Sequence, residues 1–128
     1  MGAAGFILTN NGQSLFPLFE HFDGTSWSVA SSPSPGLGRD VLTGVTALAP
    51  NNVWAVGFYA KDVNTDGPTK TLIEHWDGSS WKIVPSPSPA NSNTWVDILF
   101  DGTVIPQGNL WLVGNEFGRT LVLNATGR

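Results

Sequence analysis

Two glutamate–histidine pairs, Glu20-His21 and Glu74-His75, interrupt otherwise apolar runs. They set a carboxylate beside the one side chain that titrates near neutral pH. Such a pair could serve general acid/base chemistry or contribute to a metal ligand set. Successive side chains of a strand point to opposite faces, however, so a glutamate and the histidine beside it cannot converge on one atom. The pair also occurs twice, whereas an active site is normally built once. The reading it supports is architectural, with buried polar groups satisfied by hydrogen bonds from one repeat to the next. That reading extends over Glu20, His21, Asp23 and Trp27 in one copy and Glu74, His75, Asp77 and Trp81 in the other.

One loop offers metal chemistry. Asp62, Asn64 and Asp66 alternate and are followed by Gly67, as in the first half of a calcium loop. The twelfth position, where a bidentate glutamate belongs, is Ile73, and the ninth is Lys70. Segments 9–12 and 115–118 occupy equivalent places without repeating the motif. An ordinary polar turn is expected there, and calcium is the only cofactor the sequence leaves open.

The six tryptophans invite a carbohydrate reading, because a flat aromatic face stacks on a sugar ring. Trp27 and Trp81 are repeat equivalents, as are Trp54 and Trp111, which predicts packing between repeats for those four. Trp76 aligns with Phe22 and is expected in the core. Trp95 follows loop 90–94, has no counterpart in the preceding copy, and is the candidate ligand contact. Cysteine is absent, most serines lie in Ser-Pro or turn segments, and no glycine-rich phosphate cradle leads from a strand into a helix. A catalytic signature is therefore missing, and no enzyme activity is expected.

Charged residues make up 12% of the 128, so solubility rests on neutral polar groups and turns, a balance that suits short strands better than helices. A formal charge of −4 with six scattered Lys and Arg argues against nucleic acid as a partner. No apolar run is long enough to insert into a membrane, and residues 1–8 lack the features of a signal peptide. Any export signal is expected upstream of Met1.

The elements that must position these residues are set by a repeat. Glu20-His21-Phe22-Asp23-Gly24-Thr25-Ser26-Trp27 recurs from residue 74 as Glu-His-Trp-Asp-Gly-Ser-Ser-Trp, an offset of 54, and the Ser-Pro-Ser-Pro at 32–35 recurs at 86–89. Asn52-Val53-Trp54-Ala55-Val56-Gly57 recurs from residue 109 as Asn-Leu-Trp-Leu-Val-Gly, an offset of 57, and Gly5-Phe6 is a weaker echo of Gly57-Phe58. In the complete central copy the pattern predicts four strands, at 44–48, 53–59, 71–76 and 81–84, joined by a turn at Pro50-Asn51-Asn52 and an Asp-Gly hairpin. The second and third are apolar at both alternating positions, as in a sheet covered on both faces.

These units, LIEHWDGSSW, PSPSP and NNVWAVG, resemble the tandem repeats of bacterial extracellular proteins with kelch-like or galactose-oxidase-like β-propellers. The resemblance implies a propeller and export to the outside or the cell surface. DGTSW and DGSSW also resemble the Asp-box of sialidase-type propellers, with one residue missing between Asp and Gly. The expected fold is all-β, a partial β-propeller of about two and a half four-stranded antiparallel blades in a single domain. Residues 1–35 form a partial blade, 36–89 a complete one, and 90–128 a partial, degenerate one in which the Glu-His-Trp-Asp of the repeat has become Asn124-Ala125-Thr126 and its neighbours. A ring needs about four to eight blades, so the rest are expected from a longer chain or, second, from other copies.

The expected function is a non-catalytic binding or scaffold module that contacts glycan or protein through its loops. The alternative is a fragment of a propeller glycosidase or related hydrolase whose active site lies on missing blades, which would show as charges unique to one blade. Asp97, Asp101, Glu116 and Arg119 are read as such charges and are too few to make a site. A lectin assembled from several short chains is the third reading.

Overall fold

The computed structural model describes residues 2–8, 15–35, 39–60, 68–87, 97–105, 109–116 and 118–126. Among them lie ten strands and no helix: β1 (Gly2–Leu8), β2 (Leu15–Phe22), β3 (Trp27–Ala30), β4 (Asp40–Ala49), β5 (Asn52–Ala60), β6 (Thr69–Trp76), β7 (Trp81–Ile83), β8 (Asp97–Val104), β9 (Asn109–Glu116) and β10 (Arg119–Thr126). They form three antiparallel sheets in which chain neighbours pair: a first sheet β1-β2-β3, a central sheet β4-β5-β6-β7 and a last sheet β8-β9-β10. The all-β, antiparallel reading and the succession of three, four and three strands agree with the sequence pattern.

Within the central sheet the main difference is at β4, which starts at Asp40 rather than at residue 44. Its pairing with β5 slips by one between Leu42 and Gly44, a bulge that keeps the strand in the sheet past Thr43. The last sheet slips at the same place, between Leu99 and Asp101. This common bulge makes Asp97 the counterpart of Asp40, so Asp97 is not peculiar to the last copy, contrary to the sequence reading. Both aspartates open a first strand and both are fully buried.

The central sheet is covered on both faces, as the unbroken apolar character of β5 and β6 predicts. On one face Leu42, Ala55 and Leu72 pack with Phe19 of the first sheet. On the other, Trp54, Val56 and Ile73 pack with Leu99, Leu110, Leu112 and Leu121 of the last. Polar bonds accompany this apolar contact, since the Thr43 hydroxyl reaches Leu99 O at 2.5 Å and the buried Thr69 hydroxyl donates to Asp97 O at 3.0 Å. The described parts of the Ser-Pro segments, 31–35 and 85–87, lie outside the strands, as suits segments whose prolines lack amide donors. Side chains bond to them instead: Thr71 Oγ1 donates to Pro87 O at 2.8 Å and lies 2.7 Å from Ser86 Oγ, while Ser34 Oγ donates to Asp40 Oδ2.

Close approach of the first strand to the second depends on one glycine in each of the central and last sheets. A Cβ at Gly57 would lie 1.9 Å from Val41 O, and one at Gly114 would lie 2.0 Å from Ile98 O. The two sheets differ by a compensating exchange one register step on. Val45 faces Ala55 in the central sheet, and Gly102 faces Leu112 in the last. A Cβ on Gly102 would lie 2.3 Å from Leu112 Cδ2.

Gly102→Val alone is expected to destabilise by overpacking, and Leu112→Ala alone by about 2–5 kcal/mol through the cavity it leaves. The double variant recreates the Val45–Ala55 pair and should recover at least about 1 kcal/mol relative to the sum of the two, a coupling read from urea unfolding midpoints.

Candidate functional site

The two Asp-Gly hairpins are the most completely specified polar elements. Gly24 and Gly78 adopt φ of +102° and +100°, the conformation for which glycine was expected. The aspartate before each glycine does more than precede a turn. Asp77 Oδ1 accepts from Ser79 N at 2.9 Å and Ser80 N at 3.0 Å, and Oδ2 meets Lys82 Nζ at 3.0 Å. Asp23 Oδ1 accepts from Thr25 N at 2.7 Å and Ser26 N at 2.9 Å. Amide donors lower both carboxyl groups, Asp77 to well below the ordinary carboxylate range with the Ser79 amide first, and Asp23 with the Ser26 amide first. Their role is to fix the hairpin.

The Glu-His pair divides between faces as strand alternation requires. His75 turns toward the last sheet and lies against Trp54, ring centroids 4.3 Å apart. Asn52 Oδ1 sits 2.9 Å from the Trp54 indole nitrogen and 2.8 Å from His75 Nε2. Because an indole N–H only donates, the atom facing both rings is the amide oxygen, and His75 donates from Nε2. Burial lowers the His75 pKa, in keeping with a neutral ring. The satisfied hydrogen bond thus exists, but inside one sheet and not between repeats.

Glu74 departs further from the expectation. It takes the face toward the first sheet, is fully buried, and neither carboxyl oxygen has a hydrogen-bond partner among the described residues. Burial, with the charge of Asp40 second, pushes its pKa from 4.5 up to about 8. A neutral carboxyl in an apolar interface costs less than a charged one, so the native state holds a proton there. Its equivalent Glu20 is only half-buried and lines a cleft between the first and central sheets.

The tryptophans follow the open and covered faces. Trp54 is buried, and Trp81 stacks on Phe19 of the first sheet at 3.6 Å and 8°, so these two pack between sheets as expected. Trp27 and Trp111 are exposed, at 49% and 44%, because each lies on the face of an end sheet that no described sheet covers. Phe100, Val113 and Val122 are exposed with Trp111 on the last sheet, and Val29 with Trp27 on the first. Trp76 is not core. It lies 5.8 Å from Trp81 and forms part of a cleft. Trp95, Asp62, Asn64 and Asp66 lie outside the described residues, and no group of three metal-ligating side chains occurs among those described.

That cleft, of about 950 Å³, separates the first and central sheets. Phe19 and His21 form one side, Val45, Ala47, Trp76 and Trp81 the other, and the hairpin residues Asp23 and Gly78 lie where it meets solvent. Glu20, His21, Asp23 and Ser28 are its polar lining, and Glu74 does not line it. Aromatic walls with a few polar groups suit binding of a ring-bearing ligand. Sequence reading missed both the cleft and Asn52, although the recurrence of Asn52 as Asn109, two residues before each tryptophan, was a visible signal for the latter.

Stability should depend on pH in two opposed ways. Asp23 and Asp77, depressed in the fold, contribute stability above their ordinary value of 3.8 that is lost as pH falls through their folded values. Glu74 is raised, so the unfolded chain releases its proton first and stability falls as pH climbs from 4.5 to about 8. The fall should reach a few kcal/mol, at about 1.4 kcal/mol per pKa unit. Glu74→Gln should flatten this alkaline decline and leave the acid limb in place, as measured by urea midpoints across pH 2–9.

Compared with family models, with curated proteins and with solved structures, the chain matches none.

Proposed function

We propose that this chain is a non-catalytic binding module of a secreted or cell-surface β-propeller, its three sheets being consecutive blades and its ligand a glycan or a protein. The observation that carries the reading is the central sheet covered on both faces by sheets of the same repeat. The exposed face of the last sheet bears Trp111 and Val113 at the places where the central sheet buries Trp54 and Val56. A further sheet of the same kind would cover it, which supports a longer stack. The resemblance of the repeat units to bacterial extracellular propellers supports export. The cleft between the first and central sheets, with Phe19, Trp76 and Trp81 in its walls, supports a binding role.

Two measurements test this. In a chimaera, residues 1–116 are followed by 60–89 and then by 36–89, completing the last sheet and adding another. Its unfolding midpoint should rise, and amide exchange at Trp111 and Val113 should slow; an added unit that stays protease-sensitive with no change at Trp111 refutes the blade reading. On glycan and peptide arrays the labelled chain should capture at least one ligand class while hydrolysing no chromogenic glycoside. Turnover that disappears in Glu74→Gln would overturn the non-catalytic reading.

A further inference from the structure

The first and central sheets differ at the position paired with the histidine of the repeat. In the central sheet Trp54 pairs with His75, and its indole ring lies on the imidazole. In the first sheet the residue paired with the equivalent His21 is Gly2. The correspondence runs on in register, since Ala55 faces Glu74 as Ala3 faces Glu20, and Gly57 faces Leu72 as Gly5 faces Leu18. Gly2 therefore occupies the tryptophan position of its sheet and contributes no ring. His21 is correspondingly exposed and borders the cleft, whereas His75 is half-buried under its indole.

We infer that this cleft is a binding site for an aromatic ring of indole size, supplied by a tryptophan side chain of a peptide or protein partner. The site is the place of a missing repeat tryptophan. Its lining holds His21, the repeat equivalent of the His75 on which Trp54 lies, the Phe19–Trp81 pair stacked at 3.6 Å, and Trp76, with Glu20 and Asp23 as its acidic members. A ring entering there replaces water on aromatic and aliphatic surface without requiring the sheets to move. The inference rests on the binding-module reading and narrows its ligand from glycan or protein to protein.

The test uses 5-fluoroindole and N-acetyltryptophanamide as probes, with methyl β-galactoside as the sugar arm, followed by fluorine and proton NMR on the whole chain. The fluoroindole should bind with a Kd of roughly 0.1–1 mM, as fits a ligand of about ten heavy atoms. Resonances of Trp76, Trp81 and His21 should shift. Gly2→Trp should weaken binding at least tenfold while raising the melting temperature, and His21→Ala, at an exposed position, should weaken it severalfold. No ring binding up to about 5 mM, or binding undiminished in Gly2→Trp, overturns the inference. Should Gly2→Trp fail to fold, His21→Ala decides: severalfold weaker binding upholds the site, and unchanged binding overturns it. Sugar binding with no indole binding also overturns it and leaves the binding-module reading standing.

Discussion

A sheet that is apolar on both faces cannot exist alone in water, and the rest of this structure depends on that constraint. At about 25 cal/mol per Å² of apolar surface, leaving either face of β5 and β6 wet would cost more than a small domain has in reserve. The first and last sheets are therefore the condition under which the central sheet can form. The threonine bonds from Thr43 and Thr69 fix where the last sheet settles, since apolar contact is non-directional and hydrogen bonds are not.

The same constraint explains where polarity was admitted. Polar groups at the edges are paired locally, as in the Asp23 and Asp77 hairpins, where Oδ1 accepts from amides two and three residues on. Glu74, in the interface itself, is accommodated as a neutral acid. The Glu-His pair thus joins two unlike solutions on neighbouring residues: an imidazole satisfied within its own sheet by Asn52, and a carboxyl kept uncharged between sheets.

Much of this was legible in the sequence for physical reasons. Alternation and Asp-Gly turns are local, so the strands of the central sheet, the hairpins and the doubly covered face could be read directly from residues 44–84. The repeat offset gave the count of sheets and the shared role of Trp54 and Trp111, but not their different exposure, which depends on what stands beyond each face. The bulges after Leu42 and Leu99 were not legible, because Thr43-Gly44 and Phe100-Asp101 carry no common signature; without them Asp97 looked unmatched. The cleft escaped because it lies between two sheets, and periodicity registers only what each strand carries. The compensated proton on Glu74 likewise depends on burial by another sheet, a property of the assembled fold.

The exchange of Val45–Ala55 for Gly102–Leu112 bears on how such repeats can be shuffled during evolution or in engineering. A crossover between first and second strands of unlike repeats would produce either Gly with Ala, which leaves a void, or Val with Leu, which does not fit. Recombination within the Ser-Pro linkers, by contrast, moves both members of a pair together. The linker is thus the seam at which these sheets can be cut and rejoined, and the central and last sheets are each inherited as a unit because their first two strands have been sized to each other.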